Sequence, residues 1–243
     1  MTKSKYKGVM IAVPNYTGQI EQETHASLTT LIRFLEKNNI PNSEYLLSMA
    51  GHAECRNHIL TRFYDDTDYE HCLMVDDDMQ FMPTMVARAL NLNKPVVGAV
   101  YHKRQVPKPG DNAWHHIVGI PLEGEHEIID GFQQWKYVGG GVLLIRRDCI
   151  TKMLEKMPEI ADFSESLSNT RTGVTRLIRA FEEIKIESNP TMSEDNSFCE
   201  RWRRCGGEIW AAVDFPVGHI GKYNFCINPA EHLQLKKKVA DAA

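Results

Sequence analysis

Short apolar runs alternate along the chain with longer stretches in which apolar positions recur every three or four residues. "YKGVMIAVP" is an apolar run stopped by Pro14 and a polar loop, which predicts a strand. In "HASLTTLIRFLEKNN", Leu28, Leu31, Ile32 and Leu35 share one helical face. "EYLLSM" predicts a strand, and "AECRNHILTRFYDD" a helix with Ile59, Leu60 and Phe63 on one side. "HCLMV" follows as a strand, "PTMVARALNL" as a helix opened by Pro83, and "PVVGAVY" as another strand. This alternation predicts an α/β fold with a mostly parallel, doubly wound sheet and helices on both faces. Past residue 101 the pattern loosens into loops and hairpins. It resumes with "KYVGGGVLLIRRDC" as a strand, "SEDNSFCERWRRC" as a helix and "EIWAAV" as a strand. "DFSESLSNTRTG" reads as a mobile loop, and "LKKKVADAA" as a surface tail.

Length and charge change this picture little but exclude several functions. At 243 residues the chain suits one sizeable domain, 1–243. A formal net charge of −4 supplies no basic field, so neither nucleic acid nor an anionic membrane is an expected partner. No apolar stretch is long enough for a signal peptide or a membrane span, and the expected location is cytoplasmic. The six cysteines contain no Cys-x-x-Cys pair and read as free thiols.

The chemistry is concentrated in "LMVDDDMQF", where an apolar strand runs into Asp76, Asp77 and Asp78. Ligands of open α/β sheets sit beyond the carboxyl ends of the strands, where these aspartates fall. Crowded carboxylates repel one another unless a cation holds them. Mg²⁺ and Mn²⁺ take oxygen ligands, commonly a carboxylate or two together with substrate phosphates. An Asp-x-Asp at a strand end therefore suits a metal that carries a diphosphate, and the plain alternative is a solvated acidic turn. Arg56, near the start of its helix, can pair with these aspartates or with phosphate oxygens. Tyr16 can stack on a base or cover the sheet edge. Gly139, Gly140 and Gly141 mark a backbone approached closely by a ligand or by another segment. Their spacing fits neither a dinucleotide fingerprint nor a P-loop. Ser193 reads as an N-cap, with Glu194 and Asp195 in the first helical turn. Phe198 and Trp202 read as core, and the nine histidines other than His219, the pair His115 and His116 among them, as ordinary surface or loop residues.

In order, "AVPNY", "AECRNHIL", "LMVDDDMQF", "YVGGGVLLIRR", "SEDNSFCERWRRCGGEIW" and "VGHIGKYNF" resemble a nucleotide-sugar glycosyltransferase of the GT-A fold. The resemblance is to family-two-like enzymes of large viruses, phages and bacteria, and it covers about Val9 to Phe225. It implies one Rossmann-like GT-A domain, with a nucleotide-binding half over about 1–101, a donor-sugar and acceptor half over about 102–227, and a tail at 228–243. It also implies a hexosyl- or deoxyhexosyltransferase that uses Mn²⁺ or Mg²⁺, a nucleoside-diphosphate sugar donor and a glycan or other hydroxyl acceptor. Pro14, Tyr16 and Thr17 would hold the nucleobase, with Arg56, Asp76 and Asp77 also on the donor nucleotide. Asp78 and His219 would ligate the metal, assisted by Asp76. The three glycines would line the sugar and acceptor pocket, and Asp195 would be the base of an inverting reaction, with Glu194 orienting the acceptor. "DFSESLSNTRTG" would be the lid. For a viral source the compartment would be host-cell cytoplasm. A retaining transferase, a metal-dependent nucleotidyltransferase or nuclease, and a noncatalytic binding module remain alternatives. The loop "PNYTGQ" has no lysine or arginine, contrary to the basic loop that a nucleotidyltransferase needs.

Overall fold

The computed structural model describes residues 6–163, 173–185 and 192–235. Strand β1 spans Val9–Asn15, α1 Gln22–Lys37, β2 Asn42–Ser48, α2 His52–Asp66 and β3 His71–Val75. Then come β4 (Met79–Gln80), α3 (Pro83–Leu92), β5 (Val96–Ala99), β6 (Tyr101–His102), β7 (Ile117–Val118), β8 (Ile120–Pro121), β9 (Phe132–Tyr137) and β10 (Val142–Arg146). The remainder forms α4 (Arg147–Lys156), β11 (Ala161–Asp162), β12 (Leu177–Ile178), α5 (Glu194–Arg204), β13 (Ile209–Ala212), β14 (Val217–Ile220), β15 (Asn224–Ile227) and α6 (Pro229–His232).

Eight strands form the central sheet in the order β2-β1-β3-β10-β5-β13-β9-β8. β2, β1, β3, β5, β13 and β8 run one way, while β10 and β9 are reversed, so the sheet is mixed but mostly parallel in direction. Every residue of β1 is buried, which requires cover on both faces. Met10 and Ala12 join the core formed with α2, α4 and α5. Val9, Ile11 and Val13 join the core formed with α1 and α3. α3 begins with Pro83 in its first turn and stops at Asn93 in the left-handed conformation (φ 53°), an ordinary start and stop for a helix. Phe198 and Trp202 lie in the core, as their spacing predicts.

The glycine-rich stretch differs from the expected single strand. β9 ends at Tyr137, β10 begins at Val142, and Arg147 opens the helix α4. Ile150 and Met153 recur at helical spacing and are fully buried. Arg147 also donates from its guanidinium to the carbonyls of Phe63, Tyr64, Thr67 and Tyr69, at 2.6–2.8 Å, closing the C-terminal end of α2. The histidines depart from the surface expectation too. His58, His71, His102 and His116 are buried, and His116 stacks on His102 with ring centroids 5.6 Å apart. Of the expected lid, residues 164–172 lie outside the described residues, as do residues 236–243 of the tail. Within 228–235, α6 places Ala230 and Leu233 in the core. Among the described residues no helix is long and apolar enough to cross a membrane.

Candidate functional site

The three aspartates leave the sheet at the end of β3 and turn into β4, which pairs with β14. That pairing sets His219 opposite Met79, and the Ile220 N–H donates to the Asp78 carbonyl at 2.7 Å. Two segments far apart in sequence are thus locked in register, with His219 beside Asp78. The His219 Nδ1 lies 2.9 Å from the His102 carbonyl. A carbonyl only accepts, so Nδ1 carries a proton, and in the neutral form of the ring the lone pair is on Nε2. That Nε2 is 3.4 Å from Asp78 Oδ2. An imidazole nitrogen with a carboxylate oxygen is an acceptable donor set for Mn²⁺.

Asp76 is held by an arginine. One guanidinium nitrogen of Arg56, Nη2, bridges both of its oxygens at 2.8 and 3.0 Å. Among the described residues no three His, Cys, Asp or Glu side chains gather as a ligand cluster. Of the three expected ligands, Asp76 is paired with Arg56, while Asp78 and His219 face each other. Arg56 is itself only 2% exposed, donates from Nη1 to the Gly140 carbonyl at 3.1 Å, and has Nε 3.6 Å from Glu194 Oε1. Its fork is taken up by protein groups, so its first role is to hold Asp76 and Gly140.

Burial raises the Asp76 carboxyl to about 6 in spite of Arg56, with the Asp78 charge adding to the rise. Burial also opposes the Arg56 charge, but Asp76, Glu194 and Asp195 outweigh it and raise its pKa. Between the ordinary carboxyl value near 4 and about 6, the folded chain holds a proton on Asp76 that the unfolded chain has lost. The contribution of this group to stability therefore falls as pH rises through that window. In metal-free protein, Asp76→Asn is expected to remove this component, making the urea midpoint flatter between pH 4 and 7 than in the parent. Parallel pH curves for the two proteins would show that Asp76 does not titrate there.

Glu194 and Asp195 reach the same cavity from the start of α5. The Ser193 side chain makes no cap bond. Its hydroxyl instead donates to Asp195 Oδ1, which also accepts the Asn196 N–H at 2.7 Å. Asp195 Oδ2 accepts the Gly140 N–H at 3.2 Å. The carboxylate is thus held by donors on both oxygens. Gly140 is a glycine for a steric reason, since a Cβ there would lie 2.6 Å from the Arg56 guanidinium carbon. Gly139 and Gly141 pack instead against Val118, Tyr101 and Met79.

One cavity of about 540 Å³ gathers these groups. Pro14, Tyr16, Thr17, Arg56, Asp76, Asp77, Asp78, Gly140, Glu194, Asp195 and His219 all line it. On the β1 side, Asn15 accepts the Gly18 N–H and donates to the Gln19 carbonyl, closing the loop that carries Tyr16 and Thr17. Tyr16 is 67% exposed. The lining also includes His52, Tyr101 and Arg104, none of which the sequence reading singled out. Tyr101 ends "PVVGAVY" at the carboxyl end of the sheet, a positional signal that was available. Its hydroxyl accepts the Gly141 N–H at 3.1 Å, and its ring meets His219 edge-on. Arg104 reaches Asp78 Oδ2 at 2.9 Å from an irregular loop that carries no such signal.

No family profile matches the sequence, and no curated protein matches it. Solved structures do. A197 from STIV aligns over 97% of this chain and 97% of its own, with 16% identity and a TM-score of 0.51. A Drosophila β-1,4-galactosyltransferase 7 variant, in complex with manganese, UDP-Gal and xylobiose, aligns over 95% of this chain and 81% of its own at 13% identity, TM-score 0.40. A glycosyltransferase involved in glycosylation of the major capsid of PBCV-1 aligns over 68% of each chain at 12% identity, TM-score 0.34. At these identities the likeness is one of chain path. The chemistry has to come from the residues.

Proposed function

We propose that the protein is a metal-dependent glycosyltransferase of the GT-A kind, moving a hexosyl or deoxyhexosyl group from a nucleoside-diphosphate sugar to the hydroxyl of a glycan or other acceptor. The observation that carries this reading is the convergence of an Asp-x-Asp turn, a histidine presenting a lone pair, and a Glu-Asp pair on one cavity. Pro14, Tyr16 and Thr17 would take the nucleobase, with Tyr16 as stacking face. Asp76 and Asp77 would receive the donor nucleotide. Asp78 and His219 would hold Mn²⁺ or Mg²⁺, with further ligands from the diphosphate and water. The metal would supply positive charge to the departing diphosphate. Asp195, oriented by Gly140, Ser193 and Asn196, would take the acceptor proton, and Glu194 would orient the acceptor, giving inversion. Six unbridged cysteines, five of them buried, suit a reducing compartment, and we place the protein in the cytoplasm.

The test is a panel of nucleotide sugars with Mn²⁺, read by thermal shift, followed by transfer assays with the donor that binds. A ligand present at 100 times its Kd adds about 2.7 kcal/mol, which such a screen detects. With that donor, Asp195→Asn is expected to lower single-turnover transfer by about 10²-fold or more at near-normal donor affinity. Transfer at the parent rate would remove Asp195 from the base role. If no nucleotide sugar stabilises the protein, the transferase reading itself fails.

A further inference from the structure

We infer that Arg104 is a displaceable counter-ion of Asp78: it competes with a divalent cation for that carboxylate and, once displaced, pairs with the phosphates of an anionic ligand in the same cavity. The inference rests on the proposed metal role of Asp78.

The two outer aspartates of the turn have arginine partners of opposite character. Arg56 is 2% exposed, and its Nη groups bond to Asp76 and the Gly140 carbonyl. Arg104 is 53% exposed and reaches Asp78 Oδ2 with Nη1 at 2.9 Å. Its hydrogen bond to the Ile220 carbonyl is long, at 3.4 Å. Asp78 is 14% exposed, so the pair opens to solvent on its arginine side, and a pair with so exposed a partner is weak and easily exchanged. The stem of Arg104 lies over Gly221, where a Cβ would come within 3.1 Å of the Arg104 Cδ. The absence of a side chain there leaves the stem room to lie against the backbone.

The oxygen that Arg104 holds is the one facing His219 Nε2 at 3.4 Å. A cation seated between that oxygen and that nitrogen would repel the guanidinium, so the two cations exclude each other at Asp78 Oδ2. The cavity lining carries six carboxylic side chains, from Glu21, Asp76, Asp77, Asp78, Glu194 and Asp195, against two guanidiniums. A phosphate-bearing ligand entering such a lining needs positive charge. Arg56 is committed to protein acceptors, which leaves Arg104 as the lining guanidinium able to turn to the ligand. Metal alone must then evict Arg104, whereas metal and diphosphate together give it a new partner. Metal and nucleotide binding are therefore coupled, each tightening the other.

The test measures Mn²⁺ binding by electron paramagnetic resonance of free Mn²⁺, without nucleotide, for parent, Asp78→Asn and Arg104→Met. Asp78→Asn is expected to abolish the site. Arg104→Met is expected to tighten Mn²⁺ binding about twofold to fivefold, the scale of one exposed ion pair, with the gain shrinking at high salt. Arg104→Gln serves as second variant should the Met variant fold poorly. With UDP or GDP added as probe, both Arg104 variants are expected to lose most of the tightening that nucleotide gives Mn²⁺ in the parent. If Asp78→Asn abolishes Mn²⁺ binding but the Arg104 variants bind it no more tightly than the parent, the counter-ion role is overturned and the metal role of Asp78 stands. If Asp78→Asn leaves Mn²⁺ binding unchanged, the metal role is wrong and this inference falls with it.

Discussion

Asp78→Ala is expected to abolish sugar transfer and specific Mn²⁺ binding while leaving the melting temperature within a few degrees of the parent. Two residues supply the proposed metal ligands, and the substitution removes the only charged one, leaving a neutral imidazole whose affinity for Mn²⁺ is slight without a carboxylate. Stability should change little. The ion pair lost is with Arg104, itself half in solvent, and such pairs are worth about 0–1 kcal/mol. For a chain of this size that corresponds to a shift of about 2–4 °C or less. The backbone of the turn stays anchored because the Ile220 N–H bonds to the Asp78 carbonyl, which alanine retains. His219→Ala is the graded counterpart. It keeps the carboxylate and is expected to raise the Mn²⁺ concentration needed for half-maximal transfer rather than to end turnover. A Mn²⁺ titration of both variants decides the matter. If Asp78→Ala transfers sugar at the parent rate, or if EDTA-treated parent does so, the metal reading is wrong.

The features of this site that were legible in sequence are those written locally. Three aspartates after "HCLMV" stand out because a buried strand does not end on like charges without a reason. The start of α3 was announced by Pro83, whose fixed φ suits a first helical turn. What was not legible depends on pairing across the chain. Apolar periodicity carries no strand direction, so the reversed strand β10 inside an otherwise one-way run of neighbours left no local trace. "DCITKMLEK" did carry a helical spacing, but the run of apolar residues before it concealed the change of period at Arg147. The lone-pair orientation of His219 depends on the His102 carbonyl, 117 residues away. The Arg56–Asp76 bridge spans 20 residues and two elements. Sequence placed Arg56 near the aspartates and left open whether it served them or a phosphate. Burial settles its first allegiance. Glu194 and Asp195 look like ordinary acids in a helical first turn, and the contacts of Asp195 with Gly140 and of Glu194 with Arg56 arise only in the folded chain.

That bridge is where the largest stability effect is expected. Arg56→Met should cost about 3–5 kcal/mol, because it strips the counter-charge from a carboxylate only 23% exposed. In a chain of this size that is a fall of roughly 10 °C in melting temperature. The methionine fills much of the stem volume, so little of the loss would come from packing. The effect should depend on pH with a definite sign. Asp76 already titrates at about 6 with Arg56 present. Removing the positive charge raises that value further, so the orphaned carboxyl is neutral, and its burial cheap, in mild acid. The destabilisation measured by urea unfolding should therefore be smaller at pH 5 than at pH 8. Arg56→Lys should fall between the two proteins, since it restores charge but not the forked contact to Asp76 and the Gly140 carbonyl. The damage should also reach the proposed base, because the Gly140 N–H is itself bonded to Asp195. A fold that survives Arg56→Met should thus transfer sugar more slowly even with metal and donor saturating. A loss below about 1 kcal/mol, equal at both pH values, would mean that Asp76 is neutralised some other way and that Arg56 is not its keeper.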